Sequence, residues 1–556
     1  MPKEDFDEWS KEDLIKEVKK LKKRKKYGIV WDEEHTKEKF EKEAEGNLPV
    51  LKEIQNKEIK TDENKPINIL IEGDNFHALS VLNYTHDKAV DVIYIDPPYN
   101  TGSEGFVFND KIVDREDAYR HSKWLSFMSK RLKLARTLLK KSGIIFISIN
   151  DIEIAQLKSL MDEIFIEDNF VALLVWENKE GGGSSDSKFF KIKHEYILSY
   201  AKNIDFLEIK GVGIEDEDRY SLEDKHVKER GKYQLIKLNS ASIQYSKSLD
   251  YPIKAQDGTK ILPSYGQKRA CWRWSKNKLE WGIKNDFVVI KKDKNRKWAV
   301  YTKQYLNVDN EGNLLKREKR PIGVIAKYSS TMATKQLENM FGKKVFNYPK
   351  PYQLIKYLLE LSSDKNSIVL DFFAGTGTTA QSVLELNKED KGNRKFILCT
   401  NNENNICTEV CYPRIEKVIN GYIGYLDKIK HEGIKDNLKY FKTAFVEGES
   451  TDKNKRKLVD QSTEMLCLKE DCFYELKAGR GFKIFQNKEK YLGIIYDDDA
   501  IDGFKKEAKK LNVKFVVYVF SLDESAHEEE FEDMKNKVEL KPIPEVILNV
   551  YRRIFK

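Results

Sequence analysis

Short runs of β-branched and other apolar residues recur in the first part of the chain, and segments with helical spacing follow them. The runs at 67–71, 90–95 and 143–149 have the length of buried strands. The segment 124–140 repeats its apolar residues with the 3.6-residue period of a helix. Alternating strands and helices are typical of a parallel sheet with crossover connections, so the pattern predicts an α/β fold.

The same alternation resumes at about residue 331. There the pattern predicts a helix at 352–361 and strands at 367–373 and 396–399. Between the two α/β regions the patterns of long helices disappear, and short β-rich pieces alternate with charged loops. We therefore expect one doubly wound sheet assembled from two chain segments, with a β-rich domain inserted between them.

Both ends of the chain carry further segments. The N-terminal residues show the pattern of a charged helix, with an apolar face opposite a row of lysines. The C-terminal residues predict a hairpin, a helix and a strand. The domains expected are a helical N-terminal arm (1–65), the first half of the doubly wound domain (66–205), the β-rich insert (206–330), the second half (331–435) and a small α/β C-terminal domain (436–556).

Composition narrows the class of protein. The 556 residues carry a formal net charge of +8, so a nucleic-acid partner would need a local basic surface. No apolar run has the length of a membrane span, and the N-terminus lacks the apolar core of a signal peptide. The six cysteines lack the spacing and the histidine partners of a zinc site. We expect a cytoplasmic protein with no metal and no membrane contact.

Four tryptophans of the insert, Trp272, Trp274, Trp281 and Trp298, lie among lysines and arginines. Aromatic residues interleaved with basic ones suit a nucleic-acid surface. They equally suit the core of a small β domain, and the sequence does not decide between these interpretations.

The sharpest local feature is Asp96-Pro97-Pro98-Tyr99, which directly follows the strand predicted at 90–95. Proline cannot donate a hydrogen bond to a sheet, so the two prolines end the strand abruptly. A carboxylate and an aromatic ring are thereby placed at the carboxyl edge, where open α/β sheets bind their ligands. The four residues form a candidate catalytic corner.

A second feature is the glycine loop 374–379, between a predicted strand and a predicted helix. Glycines there let the backbone approach a ligand that lies at the helix N-terminus. No Gly-Lys-Ser/Thr follows, so the loop is not a phosphate-binding P-loop. The loop alone would also suit an NAD-dependent dehydrogenase, but that interpretation gives the Asp96 corner and the insert no role.

Together the two features resemble the amino-group DNA methyltransferases, whose motifs they match as Asp96-Pro97-Pro98-Tyr99 and Asp371-Phe372-Phe373-Ala374-Gly375-Thr376-Gly377-Thr378-Thr379. The catalytic motif comes first and a long insert divides the two, which is the order of the β class. The resemblance continues through Ile71-Glu72-Gly73-Asp74-Asn75, Trp176, His194-Glu195-Tyr196 and Tyr348-Pro349-Lys350-Pro351. Overall the chain resembles the modification (Mod) subunit of a type III restriction–modification system, or a solitary relative.

The resemblance implies methylation of adenine N6 in a base extruded from duplex DNA. An exocyclic amine is a poor nucleophile because its lone pair is delocalised into the base. The Asp96 carboxylate and the Pro97 carbonyl can accept its two N–H bonds, and Tyr99 can stack on the base. Within the family an aspartate at the first motif position implies adenine, whereas serine implies cytosine N4. The candidate catalytic residues are Asp96, Pro97, Pro98 and Tyr99.

S-adenosylmethionine is the implied cofactor, lying over the glycine loop. A side chain at Gly377 is then expected to fill cofactor space. The resemblance assigns Asp74 to the adenine amine of the cofactor and places Lys350 nearby. The resemblance implies that an acidic residue directly after the strand 396–399 holds the ribose hydroxyls. Here Thr400-Asn401-Asn402 follows that strand, so the acid is displaced and Glu403 is the choice. The candidate cofactor residues are Asp74, Lys350, Asp371, Phe373, Gly375, Gly377, Thr378 and Glu403.

Two other functions stay open at this point: a cytosine-N4 methyltransferase, and a non-catalytic specificity or assembly subunit on the same fold. The insert is the expected target-recognition domain. The partners implied by the resemblance are double-stranded DNA, a second copy of the chain and a restriction endonuclease/ATPase subunit. The pair His194–Glu195, at the start of a predicted strand, is interpreted as structural.

Overall fold

The structure is a computed structural model. It describes residues 10–12, 29–32, 36, 38, 47–102, 106–108, 111–179, 189–213, 217–240, 244–265, 268–315, 317–448, 451–511, 513–522 and 525–554. The chain divides into two compact units, one formed by Met1–Ile209 with Ile322–Lys556 and the other by Lys210–Pro321. Most of the helical arm expected at the N-terminus lies outside the described residues.

Eleven strands form the central sheet of the first unit. In chain order they are β1 (Asn47–Glu53), β2 (Ile59–Lys60), β3 (Ile67–Glu72), β4 (Val90–Ile95), β5 (Leu139–Ile149), β6 (Phe170–Glu177), β7 (His194–Ala201), β8 (Val324–Ile325), β9 (Ile368–Asp371), β10 (Lys395–Thr400) and β11 (Asn437–Glu447). Their spatial order is β1-β11-β3-β10-β9-β4-β5-β7-β6-β8, and β2 also pairs with β11.

The six strands from β11 to β5 in this order run parallel to one another. β7 is antiparallel to both β5 and β6. Because parallel strands are covered on both faces, side chains of β4 enter two cores: Ile93 and Ile95 pack on one face, Val92 and Tyr94 on the other.

Helices cover both faces of the sheet. One face packs against Asn75–Thr85, Arg120–Leu138 and Ile154–Met161. The other packs against Tyr352–Ser362, Thr378–Asp390 and Tyr412–Asn420. The doubly wound sheet built from two chain segments is therefore confirmed. Further helices of this unit are Ser330–Phe341, Asp452–Asp460, Thr463–Glu470, Ile501–Leu511 and Glu545–Ile554.

Three of the expected boundaries are wrong. The insert ends at Pro321 and not at 330, because β8 already pairs with β6 in the central sheet. The end of the expected helical arm forms β1 and β2, because Val50, Leu51 and Ile59 are buried in the sheet. The expected boundary at 435/436 falls just before β11, which lies inside the sheet. The sequence conceals this strand because Lys439 looks solvent-exposed, yet it is buried in ion pairs with Glu53 and Glu58.

The C-terminal segment has its own five-stranded sheet, made of Tyr474–Gly479, Phe482–Gln486, Tyr491–Ile495, Phe515–Phe520 and Val538–Ile543. The hairpin, helix and strand expected from the sequence are present. The segment nevertheless shares a core with the central sheet, since its helices Thr463–Glu470 and Glu545–Ile554 pack on helix Asn75–Thr85. Tyr551 also donates a hydrogen bond to the carbonyl of Pro49.

Truncation after residue 448 is therefore expected to destabilise the whole first unit. It would uncover helix Asn75–Thr85, and we expect a loss of unfolding free energy well above the roughly 1 kcal/mol of an average substitution. Thermal unfolding of the full-length and truncated chains measures this. Tyr551→Phe, which removes the hydroxyl that bonds to Pro49 and keeps the ring, is the control, with an expected loss of about 1 kcal/mol. An unchanged unfolding midpoint after truncation would show that the segment is an independent accessory domain.

The second unit, Lys210–Pro321, is built around a three-stranded antiparallel sheet. Its strands are Tyr233–Lys237, Val288–Lys292 and Trp298–Tyr305, and its longest described helix is Lys276–Lys284. Trp272 and Trp274 lie in the core of the unit, and Trp281 and Trp298 pack against that core. These tryptophans are thus mainly structural. The basic residues beside them are exposed: Arg273, Lys284, Lys291, Lys292, Lys294, Arg296 and Lys297.

Candidate active site

The Asp96 corner and the glycine loop leave neighbouring strands of the central sheet. β4 and β9 pair in parallel, with Val92 opposite Val369, so Asp96 and Asp371 both lie at the carboxyl edge. Ligands of open α/β sheets bind at this edge. The expectation that the two motifs meet is confirmed by the strand order.

A lysine from the second half of the sheet domain holds Asp96. Its Nζ lies 2.9 Å from Oδ1 and 2.8 Å from Oδ2 of Asp96, and 3.4 Å from Oε2 of Glu195. The Lys350 side chain is only 9% exposed, whereas the carboxylates of Asp96 and Glu195 keep 29% and 20% of their surface. One nearly buried cation therefore bridges two carboxylates.

Glu195 also fixes the aromatic ring of the corner. The hydroxyl of Tyr99 donates to Oε2 of Glu195 at 3.0 Å, and Nδ2 of Asn178 donates to Oε1 at 2.7 Å. The Lys350 ammonium lies 4.9 Å from the Tyr99 ring centroid and 5.9 Å from that of Trp176. Glu195, which the sequence interpretation treats as structural, thus contacts two groups of the site, Lys350 and Tyr99.

Burial and charge act in opposite directions at this cluster. Burial raises the pKa of the Asp96 carboxyl above its usual value, and Lys350 offsets part of that rise. Burial lowers the pKa of Lys350, but the carboxylates of Asp96 and Glu195 outweigh it and leave the pKa raised. Lys350 is therefore a cation at neutral pH, and the protonation of Asp96 depends on its two charged neighbours.

The backbone of the corner offers one open acceptor. Nε1 of Trp124 donates to the carbonyl of Pro98 at 2.7 Å. Within the described chain no group donates to the carbonyl of Pro97. Behind the corner Asn100 has a positive φ of 53°, and its Nδ2 donates to the buried carboxylate of Glu153 at 2.5 Å. The corner is thus anchored from behind, and the Pro97 carbonyl can accept a hydrogen bond from a ligand.

Asp371 shapes the glycine loop from inside. Its Oδ1 accepts from the backbone N–H of Phe373 at 3.0 Å, and its Oδ2 accepts from the hydroxyl of Thr379 at 2.5 Å. Burial raises the pKa of Asp371 to about 7. Both oxygens serve the loop itself, so the contribution of Asp371 to a bound ligand is through the loop's conformation.

The two glycines of the loop face opposite ways. A Cβ on Gly375 would meet only the Phe373 carbonyl, at 3.9 Å, whereas one on Gly377 would lie 3.1 Å from Sγ of Cys411. The expectation that a side chain at Gly377 would fill ligand space is therefore wrong: it would press into the helix packing. Gly375 marks the open side, and this open backbone fits a ligand lying over the loop.

Thr378 also faces the interior. Nη1 of Arg414 donates to the hydroxyls of Thr376 and Thr378 at 2.9 and 2.8 Å, and Nε donates to Gln381 at 3.0 Å. Burial lowers the pKa of the Arg414 guanidinium to about 10. In the described chain no carboxylate pairs with Arg414. The buried guanidinium of Arg414, without a counter-ion there, therefore supports the glycine loop from the interior side through its hydrogen bonds to Thr376 and Thr378.

Asp74 lies at the carboxyl end of β3 and caps the helix Asn75–Thr85, with Oδ1 accepting from the Phe76 N–H at 2.8 Å. Its Oδ2 lies 3.3 Å from Nη2 of the buried Arg131, and the carboxylate remains 40% exposed. Nδ2 of Asn75 donates to the Phe372 carbonyl at 2.9 Å. This bond ties the start of the helix directly to the glycine loop.

The remaining candidates lie less centrally. Glu403 is exposed in the turn Glu403–Asn405, three residues beyond the end of β10. By contrast, Lys350, which the resemblance places near the cofactor, lies at the centre of the site in contact with Asp96. Sequence reasoning missed Asn178 and Arg414. A signal existed only for Arg414, which precedes the buried Val418 by one helical turn in Tyr412–Asn420 and so falls on the core face.

Among the residues that the structure describes, no group of three or more histidine, cysteine, aspartate or glutamate side chains is arranged to hold a metal ion. The same part of the chain contains no helix long and apolar enough for a membrane span.

Comparison with known proteins gives matches among DNA methyltransferases. The type III EcoPI Mod subunit of Escherichia phage P1 is 36% identical over 382 residues, 60% of this chain and 58% of that protein. The StyLTI Mod subunit of Salmonella typhimurium is 34% identical over 63% of this chain and 55% of its own length. The chain thus spans little more than half of these subunits. The type II methyltransferase M.KpnI of Klebsiella pneumoniae is 34% identical, over 61% of this chain and 82% of its own.

Among solved structures, the PvuII DNA methyltransferase (cytosine-N4-specific) has 10% identity over 64% of this chain and 93% of its own, at a TM-score of 0.33. The family described as DNA methylase (N6_N4_Mtase) matches residues 90–432. That span is more than half of the chain and contains both the Asp96 corner and the glycine loop. The protein is therefore a member of the N6/N4 DNA methylase family.

Proposed function

We propose that the chain transfers a methyl group from S-adenosylmethionine to N6 of an adenine extruded from duplex DNA, as the Mod subunit of a type III restriction–modification system. The observation that carries the proposal is the pairing of β4 and β9, which sets the Asp96 carboxylate beside the glycine loop. The identity to two type III Mod subunits supports the type III class. The choice of adenine follows the family resemblance, in which an aspartate stands at the position of Asp96.

In the proposed reaction the corner prepares the amine. Asp96 accepts one N–H bond and the open carbonyl of Pro97 accepts the other, which draws the nitrogen lone pair out of conjugation with the ring. Tyr99, held by Glu195, stacks against the extruded base. Pro98 fixes the turn, with its carbonyl bonded to Trp124. When bound, S-adenosylmethionine would supply the electrophilic methyl group and leave as S-adenosylhomocysteine, while the methylated amine nitrogen gives up one proton to Asp96 or to solvent.

The proposed cofactor contacts follow the open side of the loop. The backbones of Phe373 and Gly375 and the half-exposed carboxylate of Asp74 would hold the cofactor. Glu403, exposed beyond β10, remains the proposed ribose ligand. Other residues would act indirectly by shaping the loop or orienting Asp96: Asp371, Gly377, Thr378 and Lys350.

The direct test incubates the purified chain with S-adenosylmethionine carrying a labelled methyl group and with bacterial genomic DNA. Digestion to nucleosides identifies the product, and single-molecule sequencing gives its sequence context. We expect N6-methyladenine in a fixed context. N4-methylcytosine would instead assign the cytosine activity, and the absence of any methylated base would favour a non-catalytic specificity subunit.

We propose the unit Lys210–Pro321 as the target-recognition domain. Its strands Val288–Lys292 and Trp298–Tyr305 are joined by a turn, and the exposed basic side chains Lys291, Lys292, Lys294, Arg296 and Lys297 cluster at that end of the hairpin. Basic side chains on a small, separately folded unit suit contact with DNA phosphates.

Exchanging Lys210–Pro321 for the equivalent segment of a relative is expected to change the methylated sequence and to leave N6-methyladenine as the product. The reason is that the Asp96 corner and the glycine loop both lie in the other unit. Single-molecule sequencing of DNA from cells that express the chimaera measures both properties. An unchanged recognition site would place sequence recognition outside this unit.

The proposed partners are double-stranded DNA, a second copy of the chain and a restriction endonuclease/ATPase subunit. A DNA substrate would also place the activity in the cytoplasm. Mass measurement of the purified chain in solution tests the homodimer. Co-purification with a co-expressed restriction subunit tests the second assembly.

A further inference from the structure

Lys350 divides its hydrogen bonds between two carboxylates, and only one of them belongs to the catalytic corner. The other carboxylate belongs to Glu195, the second residue of β7, which lies opposite Trp176 of β6. Its side chain reaches the same carboxyl edge of the central sheet. Glu195 has three partners in the site, Lys350, Tyr99 and Asn178. Since a carboxylate can only accept, all three donors point at it, and its position fixes theirs.

We propose that Lys350 and Glu195 are a positioning pair for methyl transfer: Lys350 keeps the Asp96 carboxylate ionised and oriented, and Glu195 holds Lys350 and Tyr99 in register with it. The proposal deepens the proposed function and rests on it for its role in turnover. Neither residue is a catalytic residue in this scheme, because each acts through Asp96 or Tyr99.

The contacts with Lys350 set both the orientation and the charge of the Asp96 carboxylate. Two donor bonds at 2.9 and 2.8 Å prevent the Asp96 carboxylate from rotating freely. Lys350 has a third N–H, and the Glu195 oxygen at 3.4 Å is the anion that attracts it. Without Glu195 the ammonium would have one anionic anchor, and the Tyr99 hydroxyl would lose the acceptor that lies 3.0 Å from it.

The charges near Asp96 predict two opposite effects. The charged or titratable groups that act on it are Lys350, Glu195 and Tyr99, with Tyr94 on its own strand β4 and Asp371 on the neighbouring strand β9. The cation favours the ionised form of Asp96, whereas the second carboxylate disfavours it. Removing the cation and neutralising the second carboxylate should therefore shift the titration of Asp96 in opposite directions.

The test is the pH profile of single-turnover methyl transfer for the wild type, Lys350→Met and Glu195→Gln. The acidic limb of this profile is the fall in rate as Asp96 becomes protonated. For Lys350→Met we expect this limb to move to higher pH, by about 1–3 units, with a lower maximal rate. For Glu195→Gln we expect it to move to lower pH, by about one unit, a tenfold change in proton affinity. Its maximal rate should also fall, since Tyr99 is held less firmly. Limbs that do not move, or that move in the same direction, would overturn the proposal.

A matched control exists on the helix Tyr352–Ser362. Lys356 also bridges two carboxylates, with its Nζ at 2.6 Å from Glu389 and 3.6 Å from Glu360, but away from the corner. Lys356→Met should leave the acidic limb in place. A shift of similar size there would show a general charge effect, which contradicts a specific role for Lys350.

A second measurement separates this inference from the proposed function. Infrared titration of the chain carrying ¹³C-labelled aspartate, with Asp96→Asn subtracted, follows the Asp96 carboxyl without turnover. The same opposite shifts are expected. If the wild type methylates no DNA but these shifts occur, the proposed function fails and the charge coupling stands. If the wild type is active and the infrared shifts are absent, the positioning pair fails alone.

Discussion

Asp96→Ala is expected to reduce methyl transfer by about 10²–10⁴-fold, the range in which a positioned proton acceptor contributes to rate. The carboxylate is the proposed acceptor for the target amine, and alanine leaves only the Pro97 carbonyl. Lys350 would lose its closest partner and keep Glu195 at 3.4 Å, so the site should stay folded. Specific DNA affinity should remain within about tenfold, or 1.4 kcal/mol, because most DNA contacts involve other residues.

Two paired measurements check this expectation: single-turnover transfer of labelled methyl groups, and DNA affinity at one fixed salt concentration. Asp96→Asn is the control, because it keeps the size of the side chain while removing its charge. Near-normal transfer by Asp96→Ala would refute the proposed role of the corner. Complete loss of DNA binding would show instead that the corner is structural.

Gly375→Val is expected to weaken S-adenosylmethionine binding by at least about 100-fold, or 2.7 kcal/mol. A Cβ at Gly375 points to the open side of the loop, where only the Phe373 carbonyl lies within 4 Å. A branched side chain would therefore occupy the proposed cofactor space. The φ of +47° at this position adds a folding penalty of about 1–2 kcal/mol for any L-residue.

Gly377→Ala separates binding from folding. Its Cβ would lie 3.1 Å from Cys411 Sγ on the interior side, at a φ of +76°. We expect lower stability for this variant, with cofactor affinity of the folded protein within about tenfold of wild type. Calorimetric titration and thermal unfolding of both variants give the comparison. The reverse pattern, with normal binding by Gly375→Val, would mean that the cofactor lies on the other side of the loop.

Five of the six parallel strands were predictable, because each of them is buried on both faces and appears as a continuous apolar run. Because β4 and β9 were predicted, the places of Asp96 and Asp371 at the ends of these strands were predicted as well. β11 escaped prediction, since Lys439 breaks its apolar pattern and becomes compatible with burial only through Glu53 and Glu58. Local patterns cannot show an ion pair between residues that are distant along the chain.

The same limit of local patterns explains which parts of the candidate site could be predicted from the sequence. The corner and the loop are contiguous motifs, so the sequence contains them whole. Glu195 acquires its role only when Lys350 and Tyr99 arrive from other segments, and its own neighbours along the chain do not indicate this. The tryptophans of the insert show the reverse case: their composition allowed two interpretations, and burial of Trp272 and Trp274 favours the structural one.

The neighbours of β3 have a consequence for biosynthesis. This strand, Ile67–Glu72, lies between β10 and β11, which come from Lys395–Thr400 and Asn437–Glu447. At a translation rate of about 5–20 residues per second, β3 waits roughly 15 to 65 s on the ribosome before either partner has been made. During that time a β-branched strand has two unpaired edges, which favours association between nascent chains. A ribosome-bound chaperone that shields this segment would therefore raise the yield of native protein.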